Sequence, residues 1–250
     1  MRRLVFDLWP VLLLLLLWQA WVKAAGYNSI VLVSPAAVAG DLLRFPGAYL
    51  LPALHTLVFA LAGLGLGLLA GVLLAVAAWA SAALAGMTTP LVLLLSSTPV
   101  VCLIPVIARL FGYDGRTELI AIAVMTFFPS CVYCSSGLRQ LPAMSGEVLS
   151  VLHASRLQTL RLLALPAALP ALATALRVGA TSSVLLALLA EYLMQTGGLG
   201  TVFAVTMQEF HLARALGAST VAMALSVLLF EAACALERRV CAFRHADGPG

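Results

Sequence analysis

Residues 54–80 read LHTLVFALAGLGLGLLAGVLLAVAAWA, an apolar run without a single Asp, Glu, Lys or Arg. A helix needs about 20 predominantly apolar residues to cross the hydrocarbon core of a bilayer. This run exceeds that length, and it shows no strand-like alternation of polar and apolar positions. It reads as a membrane-spanning helix. Gly63, Gly67 and Gly71 recur every four residues on one of its faces. Small residues at that spacing let two helix backbones approach closely in lipid, where van der Waals packing replaces the hydrophobic effect. The partner helix could belong to the same chain or to a second copy.

Outward from this run the pattern repeats. Further apolar segments at about 8–25, 90–110, 118–137, 169–192 and 215–236 predict about six spans within a single transmembrane domain covering residues 1–250. Hydrophobic residues make up 63% of the chain and charged residues 10%, and the mean hydropathy is +1.08. A soluble domain carries about 25% charged residues, so lipid takes the place of water around most of this chain. The fold class is all-α, a polytopic helix bundle. In the first segment Val11–Leu17 resembles the apolar core of a signal peptide, but Asp7 and Pro10 interrupt its approach. Trp18 and Trp21 suit a membrane interface, so a retained span is expected. Ser34-Pro35 signals a helix start, with Ser as cap and Pro in the first turn. It predicts a short helix over 35–45 lying at the membrane surface.

The 14 basic and 10 acidic residues leave a net charge of +4. No basic stripe or aromatic platform accompanies it, which argues against nucleic acid. The arginines instead bear on topology. With the N-terminus in the cytoplasm, Arg2, Arg3, Arg139, Arg156, Arg161, Arg238, Arg239 and Arg244 fall inside. Lys23, Arg44, Arg109, Arg116 and Arg214 fall outside, and Arg177 lies within the fifth span. The positive-inside rule therefore favours both termini in the cytoplasm.

Signals for chemistry are thin. Lys23 is the single lysine and has no Gly-x-x-x-x-Gly-Lys frame around it, so this chain holds no phosphate-binding loop. If ATP drives the protein, the motor is another polypeptide. His55, His153, His211 and His245 share no short metal-ligand spacing. Neither Gly-x-Ser-x-Gly nor His-Glu-x-x-His occurs. Cys131 and Cys134 form a CxxC inside an apolar run with no second pair, which reads as small buried cysteines. No catalytic residue, metal or cofactor is expected.

The most informative connection is Arg139–Leu165, the longest on the cytoplasmic side and readable as two short helices. Glu147–Leu152 forms the first, His153-Ala154 turns the chain, and Ser155 with Gln158 three residues on makes a capping-box pattern for the second. Pro166 and Pro170 mark the entry into the fifth span. From Glu147 through Arg156 to Leu163-Ala164-Leu165-Pro166, the stretch resembles the cytoplasmic loop of permeases from binding-protein-dependent ABC importers. That loop runs Glu-Ala-Ala, three residues, Gly, nine residues, Ile, one residue, Leu-Pro. Glu147 stands at its Glu, Leu163 at its Ile and Leu165-Pro166 at its Leu-Pro. Val148-Leu149 replace the alanines and His153 replaces the Gly. Ser34-Pro35-Ala36-Ala37-Val38, Thr98 to Pro105, Phe111-Gly112, Phe127-Phe128-Pro129, Gly137-Leu138-Arg139, Ala175-Leu176-Arg177 and Gly198-Leu199-Gly200 resemble the nitrate/sulfonate/taurine branch, over roughly residues 30 to 235.

The resemblance implies a type I importer permease, with two copies enclosing a path for a small polar solute: nitrate, a sulfonate, taurine or a pyrimidine-type compound. It implies two cytoplasmic ATP-binding subunits and an extracytoplasmic substrate-binding protein as partners. Coupling to the ATPase would fall on Glu147, Leu152, His153, Ala154, Ser155 and Arg156. His tolerates a positive φ better than most non-glycine residues, so the turn survives the exchange. His153 is then a partner-specific contact or a mark of weakened coupling.

Candidate path residues are the hydroxyls inside spans, Ser97, Thr98, Thr126, Ser130, Ser182 and Ser183. The competing role for each is bonding back to its own helix or gluing neighbours together. Arg177, Glu191 and Glu231 are ionisable groups in or near apolar spans, which usually face a cavity or a partner. Glu231 is the expected neutraliser of Arg177. The rival function is a secondary transporter or channel without ATP, which would call for internal repeats or midplane charges.

Overall fold

The computed structural model describes residues 2–26, 28, 31–96, 98–140 and 153–246. Every regular element among them is helical. The helices are α1 (Arg2–Ala25), α2 (Pro35–Arg44), α3 (Gly47–Ala80), α4 (Ala82–Ser96), α5 (Val100–Phe111), α6 (Gly115–Arg139), α7 (Arg156–Met194), α8 (Gly198–Gln208) and α9 (Leu212–Ala246). Within α3, α6, α7 and α9 lie segments long and apolar enough to cross a membrane, with shorter apolar helices at Trp9–Ala25 and Val101–Phe111.

The burial pattern is that of a protein solvated by lipid. The buried centre is built from small residues, including Ala53, Ala60, Ala187, Ala218 and Ala222 around Tyr49, Ile122, Val184 and Leu199. Large aliphatic side chains point outward: Leu73 is 61% exposed, Leu185 66% and Leu228 64%. In water such a surface would aggregate. In hydrocarbon it carries no penalty, and small interior residues maximise backbone contact.

The glycine face of α3 packs against α6 of the same chain. A Cβ at Gly67 would collide with Thr126 Oγ1 and stand 2.9 Å from the Phe127 amide nitrogen. One at Gly71 would lie 2.7 Å from the Phe127 carbonyl oxygen. Helix α7 then packs on α6 and α3, and α9 and the short α8 close the bundle. Helix α1 attaches mainly through α2, where Gln19 Oε1 accepts the Ala36 amide at 3.1 Å.

Two expectations are corrected. The run at 90–110 is not one helix: α4 ends at Ser96 and α5 begins at Val100. Pro99 lacks an amide hydrogen and disfavours helical backbone in the residue before it, so the chain breaks there. The fifth span does not start afresh at Pro166 and Pro170. Arg156–Met194 is one continuous helix, with a wide turn at Leu160–Ala164 in which the Leu165 amide reaches back to the Leu160 carbonyl. A π-type turn leaves room for the ring of the following Pro166. Helix α8, between the fifth and sixth runs, was not anticipated at all.

At one end of the bundle Ser34 caps α2 by accepting the Ala37 amide at 3.3 Å, as its position before Pro35 predicts. Asp41 on α2 then pairs with Arg214 of α9 at 3.3 Å and accepts the Tyr49 hydroxyl. Burial pushes the Asp41 carboxyl up, but those hydrogen bonds and the Arg214 charge outweigh it and hold the group below its ordinary value. Arg214 also lies over the Phe45 ring, 4.8 Å from its centroid.

Candidate functional site

The bundle has two chemically distinct ends. At the end carrying the long connection, Glu147, Leu152 and Ser97 lie outside the described residues. His153 adopts φ 51, a left-handed conformation that histidine tolerates better than most non-glycine residues. Ser155 accepts the Gln158 amide at 3.3 Å while Gln158 Oε1 accepts the Ser155 amide at 2.8 Å, completing the capping box. Arg156 turns back onto the bundle: its Nη1 donates to the Ala80 carbonyl at 2.9 Å. A cation there satisfies an acceptor at the end of α3 and opposes the helix dipole. Ala154 sits beside it at the edge of a cavity shared with Ala78, Trp79 and Arg139. A second cavity of about 450 Å³ opens between α4 and α6, lined by Ala78, Thr88, Val92, Cys131, Ser135 and Arg139. Cys131 and Cys134 are both buried, without a disulfide.

The hydroxyl candidates divide. Thr126 is 1% exposed, donates to the Ile122 carbonyl at 2.9 Å and wedges against Gly67. Ser130 donates to the Thr126 carbonyl at 2.7 Å and Ser183 to the Ala180 carbonyl at 3.0 Å, both fully buried. All three are buried and bond back to carbonyls of their own helices. Thr98 and Ser182 are partly exposed and bond back to Leu94 and Val178. Arg177 pairs with Glu237 at 3.2 Å, so the expected pairing with Glu231, which is exposed, is replaced by a residue nearly two turns along the same helix.

At the opposite end lies a buried polar cluster that the sequence did not assemble. Glu191, three residues before the end of α7, is 0% exposed. Its carboxylate accepts the Thr56 hydroxyl at 2.8 Å and the Gly200 amide at 2.8 Å. Thr56 in turn accepts the Leu199 amide at 2.9 Å. Leu199 and Gly200 are first-turn residues of α8, so α3 and α7 together satisfy its unpaired amides, and the carboxylate meets the positive end of its dipole. Gly198, at φ 75, is required twice over: its backbone is left-handed, and a Cβ would strike the Glu191 carboxylate. Glu118, 0% exposed in the first turn of α6, accepts the Thr196 hydroxyl at 2.7 Å. His55 Nδ1 stands 3.3 Å from Glu191 Oε1, its ring stacked on Phe59 at 4.5 Å. Only Glu191 was visible beforehand, as an ionisable group near the outer end of an apolar run. His55 and Glu118 belong to other helices and share no motif with it.

A lipid-solvated bundle, with one long α6–α7 connection entering a continuous α7, is that of a multi-pass membrane protein. The chain belongs to the family of binding-protein-dependent transport system inner membrane components, which it matches over residues 63–240. It is a multi-pass membrane protein, a permease component and not a catalytic subunit. The riboflavin transport system permease protein RibX of Chloroflexus aurantiacus is 31% identical over 216 residues, 81% of this chain and 79% of that protein. The formylaminopyrimidine transport permease protein ThiX of Halalkalibacterium halodurans is 26% identical, with 80% of each chain covered. In fold, the chain resembles the MetNI methionine ABC transporter in an inward-facing conformation. The TM-score is 0.64 at 20% identity, over 79% of this chain and 98% of that one.

Proposed function

We propose that two copies of this chain form the translocation path of an ATP-driven importer, taking a small polar solute from an extracytoplasmic binding protein. The observation that carries this reading is the unbroken run of the described end of the α6–α7 connection, from His153, into α7. The left-handed turn at His153 and the capping box at Ser155 lead without a break into a helix that ends at Met194 beyond the buried Glu191. At 1.5 Å per residue, the 39 residues of that helix span about 58 Å. A displacement of the docked loop by a closing ATPase dimer is thereby delivered to the far end of the bundle, the kind of rigid-body switch that alternates access. One loop per chain suits two chains facing a two-fold motor.

In this reading α1, α3, the α4–α5 pair, α6, α7 and α9 make six crossings, with both termini and the loop cytoplasmic. Glu147 and Leu152 contact the ATPase with His153 and Ala154, while Ser155 and Arg156 hold the turn in shape. Thr98 and Ser182 border the path, and Thr126, Ser130 and Ser183 pack helices. The relatives' heteroaromatic substrates, riboflavin and formylaminopyrimidine, place pyrimidine-type compounds beside taurine, sulfonates and nitrate as the candidates to test.

The test is co-purification with reconstitution. The tagged chain should bring down an ATP-binding subunit, and Glu147→Ala should release it. Uptake in proteoliposomes should require the ATPase, the binding protein and ATP. Uptake by the chain alone on an ion gradient would overturn the proposal.

A further inference from the structure

The buried cluster at the α8 end poses a charge problem that its hydrogen bonds leave half solved. Glu191 is well served as an anion, by Thr56, by the Gly200 amide and by the start of α8. Glu118 is not. Its Oε2 accepts from Thr196, yet its Oε1 is buried without a hydrogen-bond partner. A coordinating oxygen from each carboxylate and a ring nitrogen of His55 lie within 4.8 Å of one another. Among the described residues every lysine and arginine ion pair lies elsewhere, at Arg177–Glu237 and Arg214–Asp41. Two carboxylates sealed in a bundle, facing each other with one acceptor unused, call for a positive charge between them, either a shared proton or a cation.

We propose that His55, Glu118 and Glu191 bind a divalent transition-metal ion of the Zn²⁺ class at the outer end of the bundle. The spacing and chemistry of the site suit such an ion, and its charge balance favours a dication over a lone proton. Nitrogen and oxygen ligands at about 2.0–2.1 Å from tetrahedral zinc stand about 3.3 Å apart, and His55 Nδ1 and Glu191 Oε1 are separated by 3.3 Å. A mixed imidazole–carboxylate set suits zinc and its neighbours in the first transition row. Two positive charges neutralise both carboxylates with His55 left uncharged, whereas one proton leaves a net negative charge in a low-dielectric interior.

The surroundings fit a metal site beyond its three ligands. Phe59 fixes the His55 ring by stacking, Thr196 orients Glu118, and Thr56 orients Glu191. Outer-shell partners of this kind hold ligands in place and tune affinity. The His55 side chain is 31% exposed, so the ion has a way in past the imidazole. The site ties α3, α6 and α7 together where α7 hands over to α8, and a bound ion would lock that junction.

The experiment uses the full chain in lipid nanodiscs, stripped with chelator and dialysed against micromolar Zn²⁺ alone, with bound metal counted by elemental analysis. One ion per chain is expected, with affinity weakened at least tenfold in both Glu118→Gln and His55→Phe. The second variant keeps an aromatic ring to stack on Phe59 and removes both ring nitrogens of a partly exposed residue, so it reports on the site even if Glu118→Gln folds poorly. Substoichiometric zinc in the wild type, or unchanged binding in His55→Phe, overturns the proposal. So does a carboxylic-acid carbonyl band in the infrared that persists in saturating Zn²⁺, since a proton would then occupy the gap.

Discussion

Replacing Gly67 by alanine tests the central contact of the bundle, and Gly65 supplies its control. Both glycines lie in the middle of α3, two residues apart and on different faces. A Cβ at Gly65 meets no atom within 4 Å, whereas at Gly67 it collides with Thr126 Oγ1 and stands 2.9 Å from the Phe127 amide nitrogen. The gain in helix propensity is common to both substitutions, about 1 kcal/mol over glycine. The difference between them is the overpacking alone. Backbone atoms cannot rotate away, so α3 and α6 must part, at a cost of about 1–3 kcal/mol. At about 2–4 °C per kcal/mol for a chain of this size, the midpoint gap centres on about 4–8 °C. The measurement is thermal unfolding of the two purified variants in one detergent. Gly65→Ala should equal or exceed the wild type and Gly67→Ala should fall below it. Equal midpoints would mean that α3 and α6 do not approach closely at Gly67.

Other consequences are open to measurement. Arg156→Ala removes the cation from the Ala80 carbonyl and should lower stability by about 0.3–1 kcal/mol, while the ATPase still co-purifies; complete release of the ATPase would show that Arg156 faces the partner. His153→Gly should raise the unfolding midpoint by the equivalent of about 1 kcal/mol, because glycine occupies left-handed backbone without the Cβ penalty; a fall would show that the imidazole contributes more than its backbone strain removes. Asp41 carries a carboxyl held below its ordinary value in the folded protein. Its stabilisation is fully present above the unfolded pKa of about 3.9 and fades as pH falls through the lower folded value. Thermal midpoints should therefore show no Asp41-dependent change between pH 7 and 5, and the gap between wild type and Asp41→Asn should narrow only at more acid pH.

Much of the architecture was legible without coordinates because lipid imposes simple rules. A spanning segment must be long, apolar and helical, so the apolar runs announced themselves, although the helices outrun them by up to 13 residues. Local hydrogen-bond chemistry was equally readable: Ser34 before Pro35 and Ser155 with Gln158 both concern neighbours in sequence. The break at Thr98-Pro99 and the continuity of α7 through Pro166 were misjudged, since one proline interrupts a helix and another is absorbed by a widened turn. That choice depends on what packs around each ring.

The apolar run at 54–80 determined by itself that the chain lives in a membrane and that its glycine face meets another helix. Only the tertiary structure decided that the other helix is α6 of the same chain, and that Thr126 and Ser130 are its packing surface. It alone brought His55, Glu118 and Glu191 together from three helices, 63 and 73 residues apart in turn. Periodicity reports which face of a helix is apolar. Which buried polar groups meet across a bundle depends on the rotation and depth of each helix, and those are set by the packing of all of them at once.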